Sequence, residues 1–226
     1  MSRAELAPAF AEIIKSRYSV RAFRPERVPQ AVLDEVFTLA NHTPSNCNTQ
    51  PWLVHVASGE LLETLRKAIP EAMMNGVFTM DFPYEGKYHG VYKERQGGAA
   101  DAMFRSMGIA REDKVKRNEA FMRNFVFFDA PHVAFLFIPQ EYSLREAVDI
   151  GMYSQSLMLS LTAHGIGSCP QTSLGFHADL VRKTLGVDDS FRLLFGISFG
   201  YADETAPVNT CRTSRAALPD NTFFHG

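Results

Sequence analysis

Residues 5–17 carry Phe10, Ile13, Ile14 and Arg17 at helical spacing, which predicts an amphipathic first helix. Arg17 to Pro25 reads as a basic, extended connection. A second stripe (Val32, Leu33, Val36, Phe37, Ala40) follows Pro29, a residue that a first helical turn tolerates. This helix ends before Pro44, because a residue preceding proline is pushed out of helical geometry. The period then shortens to two: Trp52, Val54 and Val56 alternate with Leu53, His55 and Ala57, the pattern of a strand. Ser58 is placed to N-cap a short helix bearing Leu61, Leu62, Leu65 and Ile69.

Residues 71–124 break this regularity. Met73, Met74, Phe82, Tyr84, Tyr88 and Tyr92 lie among glycines and charges, with helical stretches expected near 92–107 and 112–123. The segment reads as an insertion packed over the core of a single domain spanning 1–226. Val133 to Ile138 is a continuous apolar strand. Residues 144–164 form the longest expected helix, with Ala147, Ile150, Ser154, Leu157, Met158 and Leu161 on one stripe and Gly165 as its stop. Its first turn holds Glu146 and Asp149, suited to a helix N-terminus. Phe191, Leu193, Phe195, Ile197 and Phe199 alternate without interruption with Arg192, Leu194, Gly196, Ser198 and Gly200, the clearest strand of the chain. From Tyr201 the chain turns polar and proline-containing, with too few apolar residues to fold alone.

Composition narrows the function classes. At 226 residues with 46% hydrophobic and 21% charged positions, the chain can bury a full core. A net charge of −2 and a pI near 6.4 supply no global field for nucleic acid or an anionic membrane, so any anion site must be local. The apolar run Phe125–Ile138 is interrupted by Asp129, Pro131 and His132 and is too short to span a bilayer. Cys47, Cys169 and Cys211 lack zinc spacing and are odd in number, which favours free thiols in a reducing compartment. With charges and no apolar core near its N-terminus, the chain is expected to be cytoplasmic.

Four segments could carry chemistry. Arg17-Tyr18-Ser19-Val20-Arg21 places two guanidiniums and a hydroxyl at a helix-to-loop transition, able to bind phosphate by charge-assisted hydrogen bonds. Taken alone, it also describes a solvated basic turn. Thr43 to Trp52 packs prolines, amides, hydroxyls and the only tryptophan into ten uncharged residues. Such a run makes a rigid loop with donors and acceptors for a flat polar ligand such as a flavin's pyrimidine edge, or simply a tight helix-to-strand turn. Gly165-Ile166-Gly167-Ser168-Cys169-Pro170-Gln171-Thr172-Ser173 permits close backbone approach to a ring, or merely ends a helix. Arg212 and Arg215 stand in the polar tail. Elsewhere the seven histidines lack metal spacing, no thiol-protease signature surrounds Cys47, no G-x-S-x-G elbow occurs, and Asp188 and Asp189 read as solvated.

In this order and spacing the segments resemble the FMN-dependent nitroreductase family. Arg17–Arg21 resembles its R-x-S-x-R phosphate motif, Pro44–Trp52 its P-S-x-x-N-x-Q-P-W loop, Gly165–Leu174 its flavin-facing G-x-G-S loop, and Phe195–Tyr201 its G-I-x-x-G-Y strand. The resemblance covers nearly the whole chain outside residues 71–124. It implies an α+β fold with a central mixed, largely antiparallel sheet wrapped by helices, and a homodimer whose C-terminal tails are exchanged. FMN would bind at the subunit interface, with NADH or NADPH as reductant and a nitroaromatic, quinone or related electron-poor aromatic as oxidant, in ping-pong order.

By the same resemblance, Arg17, Ser19, Arg212 and Arg215 are expected at the FMN phosphate, flanked by Tyr18 and Val20, and Arg21 near flavin N1 and O2. Ser45, Asn46, Asn48 and Gln50 are expected to reach the flavin from the second subunit, and Pro170, Gln171, Thr172 and Ser173 to lie along the ring. No side chain is required as acid or base, because the cofactor carries the hard step. Phe82-Pro83-Tyr84 with Tyr88, Gly108-Ile109, Asp113, and Asn124 with Phe127–Pro131 resemble the branch containing nitrobenzoate reductases. Tyr84-Glu85-Gly86-Lys87-Tyr88 holds the residue types of the Glu-Tyr-Lys lid of iodotyrosine deiodinases without matching it, so reductive dehalogenation or flavin breakdown stays an alternative, as does a flavin-binding protein that does not turn over. Nothing in the sequence separates NADH from NADPH.

Overall fold

Four strands, β1 (Leu53–Ser58), β2 (His132–Pro139), β3 (Gly167–Gln171) and β4 (Phe191–Gly200), form one sheet in the order β1-β2-β4-β3. The computed structural model describes residues 3–226. Every strand pairing is antiparallel; parallel character is confined to isolated bridges, Ser19↔Ser168 and Thr79↔His177. Among the described residues, seven helices surround the sheet: α1 (Arg3–Ser16), α2 (Gln30–Ala40), α3 (Gly59–Met74), α4 (Gly90–Ser106), α5 (Lys114–Met122), α6 (Leu144–Ala163) and α7 (Ala178–Leu185). No helix among the described residues is long and apolar enough to cross a membrane.

Central strand β2 is buried from His132 to Ile138 because both of its faces are covered. Ala134, Leu136 and Ile138 meet α2 and α6 through Val36, Ile150, Leu157 and Leu161. Val133, Phe135 and Phe137 point the other way, onto Leu62, Leu65 and Ile69 of α3 and Val181 of α7. Fully burying a phenylalanine such as Phe135 or Phe137 stabilises the fold by about 2–3 kcal/mol.

The unbroken alternation of β4 does not mean one inward face. Opposite Leu136 and Phe137 the register shifts, pairing Leu136 with Phe195 and Phe137 with Leu193, so Leu194 is the extra residue of a β-bulge. A one-residue slip exchanges faces. Leu193 therefore packs with the α3–α7 side, whereas Ile197 and Phe199 pack with the α2–α6 side. Gly196, Ser198 and Gly200 are left on the face that receives the 172–176 segment and Pro131.

Three further elements depart from the sequence reading. Residues 167–171 are an edge strand, not a loop: five registered pairs with β4 override their weak strand propensity. The helix expected to be short after Ser58 runs through Pro70 to Met74. Ser58 does not cap it by a side-chain bond; its hydroxyl is engaged with His132 Nδ1.

Candidate functional site

The basic arm after α1 and the polar tail are zipped together, which carries sequence-distant arginines into one place. Val20 N–H donates to Ser168 O at 3.0 Å, fastening the arm to the outer edge of β3. Gly167 permits this approach, since a Cβ there would stand 2.6 Å from Val20 Cγ2. Arg24 N–H donates to Tyr201 O at 2.9 Å and Asp203 N–H to Ala22 O at 3.0 Å. Buried Asn209 completes the closure. Its Oδ1 accepts from Arg21 N–H at 2.8 Å, and its Nδ2 donates to Ala22 O and Asp203 O, each at 2.8 Å.

The result is a hollow of about 530 Å³ lined by Lys15, Arg17, Tyr18, Ser19, Arg21, Cys211, Arg212 and Arg215, with Ala99 of α4 at its margin. No carboxylate lines it, and none of these arginines forms an ion pair among the described residues. Arg212 lies 3.5 Å over the Tyr18 ring and donates to Asn209 O at 2.8 Å. Arg215 donates to Thr213 Oγ1 at 2.9 Å. Burial, and next the like charge of Arg215, push the Arg17 pKa down. Beneath them burial pushes the Cys169 thiol up, only partly opposed by Arg21, a hydrogen bond with Ser19, and Arg17. Arg212 and Arg215 also border an adjoining hollow that holds Glu94 and Asp220, but on the side of Arg17 and Arg21 the positive charge has no acid to meet and an anion would relieve it. Guanidinium forks beside a serine hydroxyl suit a phosphate monoester.

The Thr43–Trp52 loop is held rigidly at a different place. Cys47, Asn48 and Gln50 all have positive φ (50°, 57° and 47°), conformations costing non-glycine residues about 1 kcal/mol or more each. The surroundings fix them. Ser45 Oγ accepts from Gln50 N–H at 2.9 Å, Gln50 Nε2 donates to Asn48 O at 3.1 Å, and Thr43 Oγ1 donates to Ala40 O at 2.8 Å. From α6, buried Asp149 accepts from Asn46 N–H at 3.1 Å, and Tyr153 stacks on Trp52 with ring centroids 4.9 Å apart. Asn46 and Asn48 stay exposed. Asp149, expected only to complement the helix dipole, is thus a buried anchor of this loop.

At the end of β3, Pro170 and Thr172 are exposed while Gln171 is buried. Gln171 Nε2 donates to Asn124 O at 2.9 Å, and its Oε1 accepts from Ser198 Oγ. Its amide is therefore spent inside the protein, and its backbone pairs with Gly196 of β4, so the exposed Pro170 and Thr172 are the groups open to a ligand at this end. Gly196 lets Leu174 and the following turn lie flat on β4, since a Cβ would come within 2.6 Å of Leu174 Cδ1. Asn124 is positioned by the turn behind it, where Phe127, Phe128 and Asp129 are consecutively left-handed and Arg66 donates to the carbonyls of Val126 and Ala130.

One chain therefore unites Arg17, Tyr18, Ser19, Arg21, Arg212 and Arg215 around a single hollow, with Val20 buried behind it and Pro170–Ser173 at the far end of the strand the arm is fastened to. It does not bring Ser45, Asn46, Asn48 and Gln50 there. Gln50, Asn41, Trp52 and Tyr153 line another hollow of about 840 Å³, which shares no residue with the arginine hollow. Asn209 escaped the sequence reading, and Asp149 entered it only as a residue of the helix N-terminus. An amide near two tail arginines and an acid beside an apolar stripe were the only signals.

Residues 14–201 match the model of the nitroreductase family. The chain is 48% identical over 221 residues to nitroreductase NfnB of Mycolicibacterium smegmatis, covering 97% of this chain and 94% of that relative. It is 32% identical over 227 residues to a 4-nitrobenzoate reductase of Pseudomonas putida, covering 98% and 97%. Among solved structures, the FMN-dependent nitroreductase NfnB from Mycobacterium smegmatis in complex with NADPH matches with a TM-score of 0.94 at 47% identity, covering 98% of this chain and all of that one (100%). The ordered motifs, the antiparallel sheet with its zipped arm and tail, and these similarities along nearly the full length agree: the chain belongs to the nitroreductase family.

Proposed function

We propose that this protein is an FMN-dependent NAD(P)H oxidoreductase that reduces nitroaromatics and related electron-poor aromatics. The observation that carries the reading is the acid-free hollow in which Arg17, Arg21, Arg212 and Arg215 converge with Ser19. Its donor set fits the phosphate of FMN, which at a charge near −2 calls for more than one guanidinium when partly buried. Arg17, Ser19, Arg212 and Arg215 would hold that phosphate, with Arg21 toward the pyrimidine edge of the flavin and Pro170, Gln171, Thr172 and Ser173 along the ring. When bound, FMN supplies hydride transfer between NAD(P)H and the aromatic oxidant. The protein's own residues bind and orient: a cation at Arg21 favours negative charge on the pyrimidine edge, and the rigid amides Asn46 and Asn48 offer fixed hydrogen bonds without titrating.

The site is completed by a second copy. Supporting this are the exposed apolar side chains of Leu6, Phe10 and Ile14 on α1 and Leu144 and Val148 on α6, more than an isolated chain leaves to water without purpose. Strand β1 also has a free edge, and Phe223 and Phe224 in the extended tail are 71% and 85% exposed. A tail exchanged between subunits covers both, and brings Ser45, Asn46, Asn48 and Gln50 to the partner's flavin. We read 71–124 as a cover over this site within one domain, supported by Ala99 at the arginine hollow. Three free thiols suit a reducing cytoplasm.

The test is anaerobic. Protein reconstituted with FMN is expected to elute as a dimer, to bleach on adding NADPH or NADH, and to recolour with 4-nitrobenzoate or nitrobenzene. Failure to retain FMN, or a flavin that stays oxidised with both nicotinamides, overturns the proposal.

A further inference from the structure

Among the described residues, arginines without an ionic partner cluster around two hollows, while Arg27, Arg95, Arg145 and Arg192 stand apart from both. One is the hollow of Arg17, Arg21, Arg212 and Arg215. The other lies at the turn joining α4 to α5, where Asp101, Phe104, Arg105, Gly108, Arg111 and Arg117 are among the residues surrounding a hollow of about 430 Å³. No guanidinium of Arg105, Arg111 or Arg117 makes a hydrogen bond or ion pair within the described residues, in contrast to Arg24, Arg66, Arg123 and Arg182, which all meet carboxylates.

The second hollow is built rather than incidental. Half-buried Arg117 has its guanidinium carbon 3.9 Å from the centroid of the Phe104 ring, a cation–π contact that holds the group in place without using up its N–H donors. Gly108, at φ +66°, closes α4 with Ile109 N–H donating to Phe104 O at 2.9 Å, and so folds Arg111 back toward Arg105 and Arg117. The nearby carboxylate of Asp113 is committed to the Lys116 N–H at 3.0 Å and to its ammonium at 3.4 Å. Asp101 is the one acid in the lining, against three guanidiniums. The local charge is thus positive on a chain of net charge −2. The two hollows share a helix: Ala99 borders the first and Phe104 the second, about 8 Å apart along α4 at the rise of an α-helix.

We infer that Arg105, Arg111 and Arg117 form a second anion pocket that takes a phosphate monoester, the ribose 2′-phosphate by which NADPH differs from NADH. Three forks around one hollow match a dianionic monoester better than a diphosphate, whose charge is shared by both nicotinamides and cannot discriminate. The inference rests on the proposed NAD(P)H activity and makes this protein NADPH-selective. Because the pocket is open, that selectivity weakens with added salt.

Two measurements test it. Calorimetric titration of the FMN-loaded protein with 2′,5′-ADP and with 5′-AMP is expected to show roughly tenfold or tighter binding of the former, and the difference disappears in the Arg105→Ala/Arg111→Ala variant, whose side chains are exposed and not needed for folding. In steady state that variant raises KM for NADPH by roughly tenfold or more with NADH little changed, and Arg117→Lys, which keeps the charge but loses the fork, gives a smaller rise. Equal affinity for the two adenylates overturns the inference, as does an unchanged NADPH-to-NADH ratio. So does a rise in KM confined to 4-nitrobenzoate and absent for nitrobenzene, which would assign the pocket to a substrate carboxylate. If neither nicotinamide reduces the flavin, the proposed function falls while the adenylate comparison still decides the pocket.

Discussion

Acid is expected to loosen this fold chiefly through one buried imidazole, before its carboxylates titrate. His132 opens β2 and is 3% exposed, stacked on Phe199 with centroids 5.2 Å apart. Its Nε2 accepts from Val28 N–H at 3.0 Å, so the ring proton sits on Nδ1 and faces Ser58. Both nitrogens are committed in the neutral form, and protonating Nε2 would oppose an N–H donor. Burial first, and the charge of Arg27 second, push the pKa from 6.5 down to about 4. The sign follows from linkage. The unfolded chain takes up this proton near pH 6.5 and the folded chain only near pH 4, so the stabilising contribution is complete above pH 6.5 and is lost between pH 6.5 and 4. That interval corresponds to roughly 3 kcal/mol, a large part of the 5–15 kcal/mol holding a typical domain together.

The measurement is a set of urea denaturation curves between pH 7.5 and 4.5, at fixed protein and FMN concentrations, on the wild type and His132→Gln. Glutamine can accept from Val28 and donate to Ser58 without titrating. It loses the stacking on Phe199, which lowers stability at neutral pH by about 1 kcal/mol. Between neutral pH and pH 4.5 the wild type is then expected to lose roughly 2–3 kcal/mol more than the variant. His55 and His177, whose pKa values burial also pushes down, contribute equally to both proteins and cancel. Parallel loss in the two proteins would refute the assignment of the acid sensitivity to His132.

Two further outcomes follow from the site's construction. Asn209→Ala removes three hydrogen bonds joining arm to tail; it is expected to cost about 2–4 kcal/mol of stability and at least tenfold in FMN affinity, read by fluorescence titration of the flavin. Gly196→Ala drives a methyl against Leu174 and is expected to cost about 1–3 kcal/mol in thermal unfolding while lifting residues 172–173 from the sheet, with a shift of the visible spectrum of bound FMN as its signature.

The sequence was most legible where one period ran uninterrupted against one partner. The stripe of α6 is buried as spaced, with Ile150, Ser154, Leu157, Met158 and Leu161 all inward. In β4 the alternation identified the strand but could not tell its faces. Phe191 to Phe199 alternates without a fault, yet the bulge at Leu194 sends the two halves to opposite cores, because a bulge is set by the partner strand and leaves no mark on the pattern. Strand β3 was hidden for a related reason: Gly-Ser-Cys-Pro-Gln has little strand propensity of its own and borrows its geometry from β4. Among the residues proposed for the site, those that bear charge or rigid amides stand out by type. Those that hold them do not, since Asn209 acts on Arg21 across 188 residues of sequence and Asp149 on Asn46 across 103.

That long separation has an energetic consequence for how cofactor and fold depend on each other. The anion hollow exists only when the arm after α1 and the polar tail close on β3, and its closure forces Arg17 and Arg215 together against their mutual repulsion. The tail offers little apolar surface to offset that cost, so its attachment rests on Asn209, the Arg24–Tyr201 and Asp203–Ala22 bonds, and the stacking of Arg212 on Tyr18. A phosphate inside the hollow turns the repulsive term attractive. In the proposed function, FMN binding and closure of the tail are therefore coupled, because the arginines assigned to the phosphate repel one another in the closed state without it. In the proposed dimer this coupling extends across subunits, because the residues beyond Arg215 are those that reach the partner, and loss of cofactor then weakens assembly as well as activity.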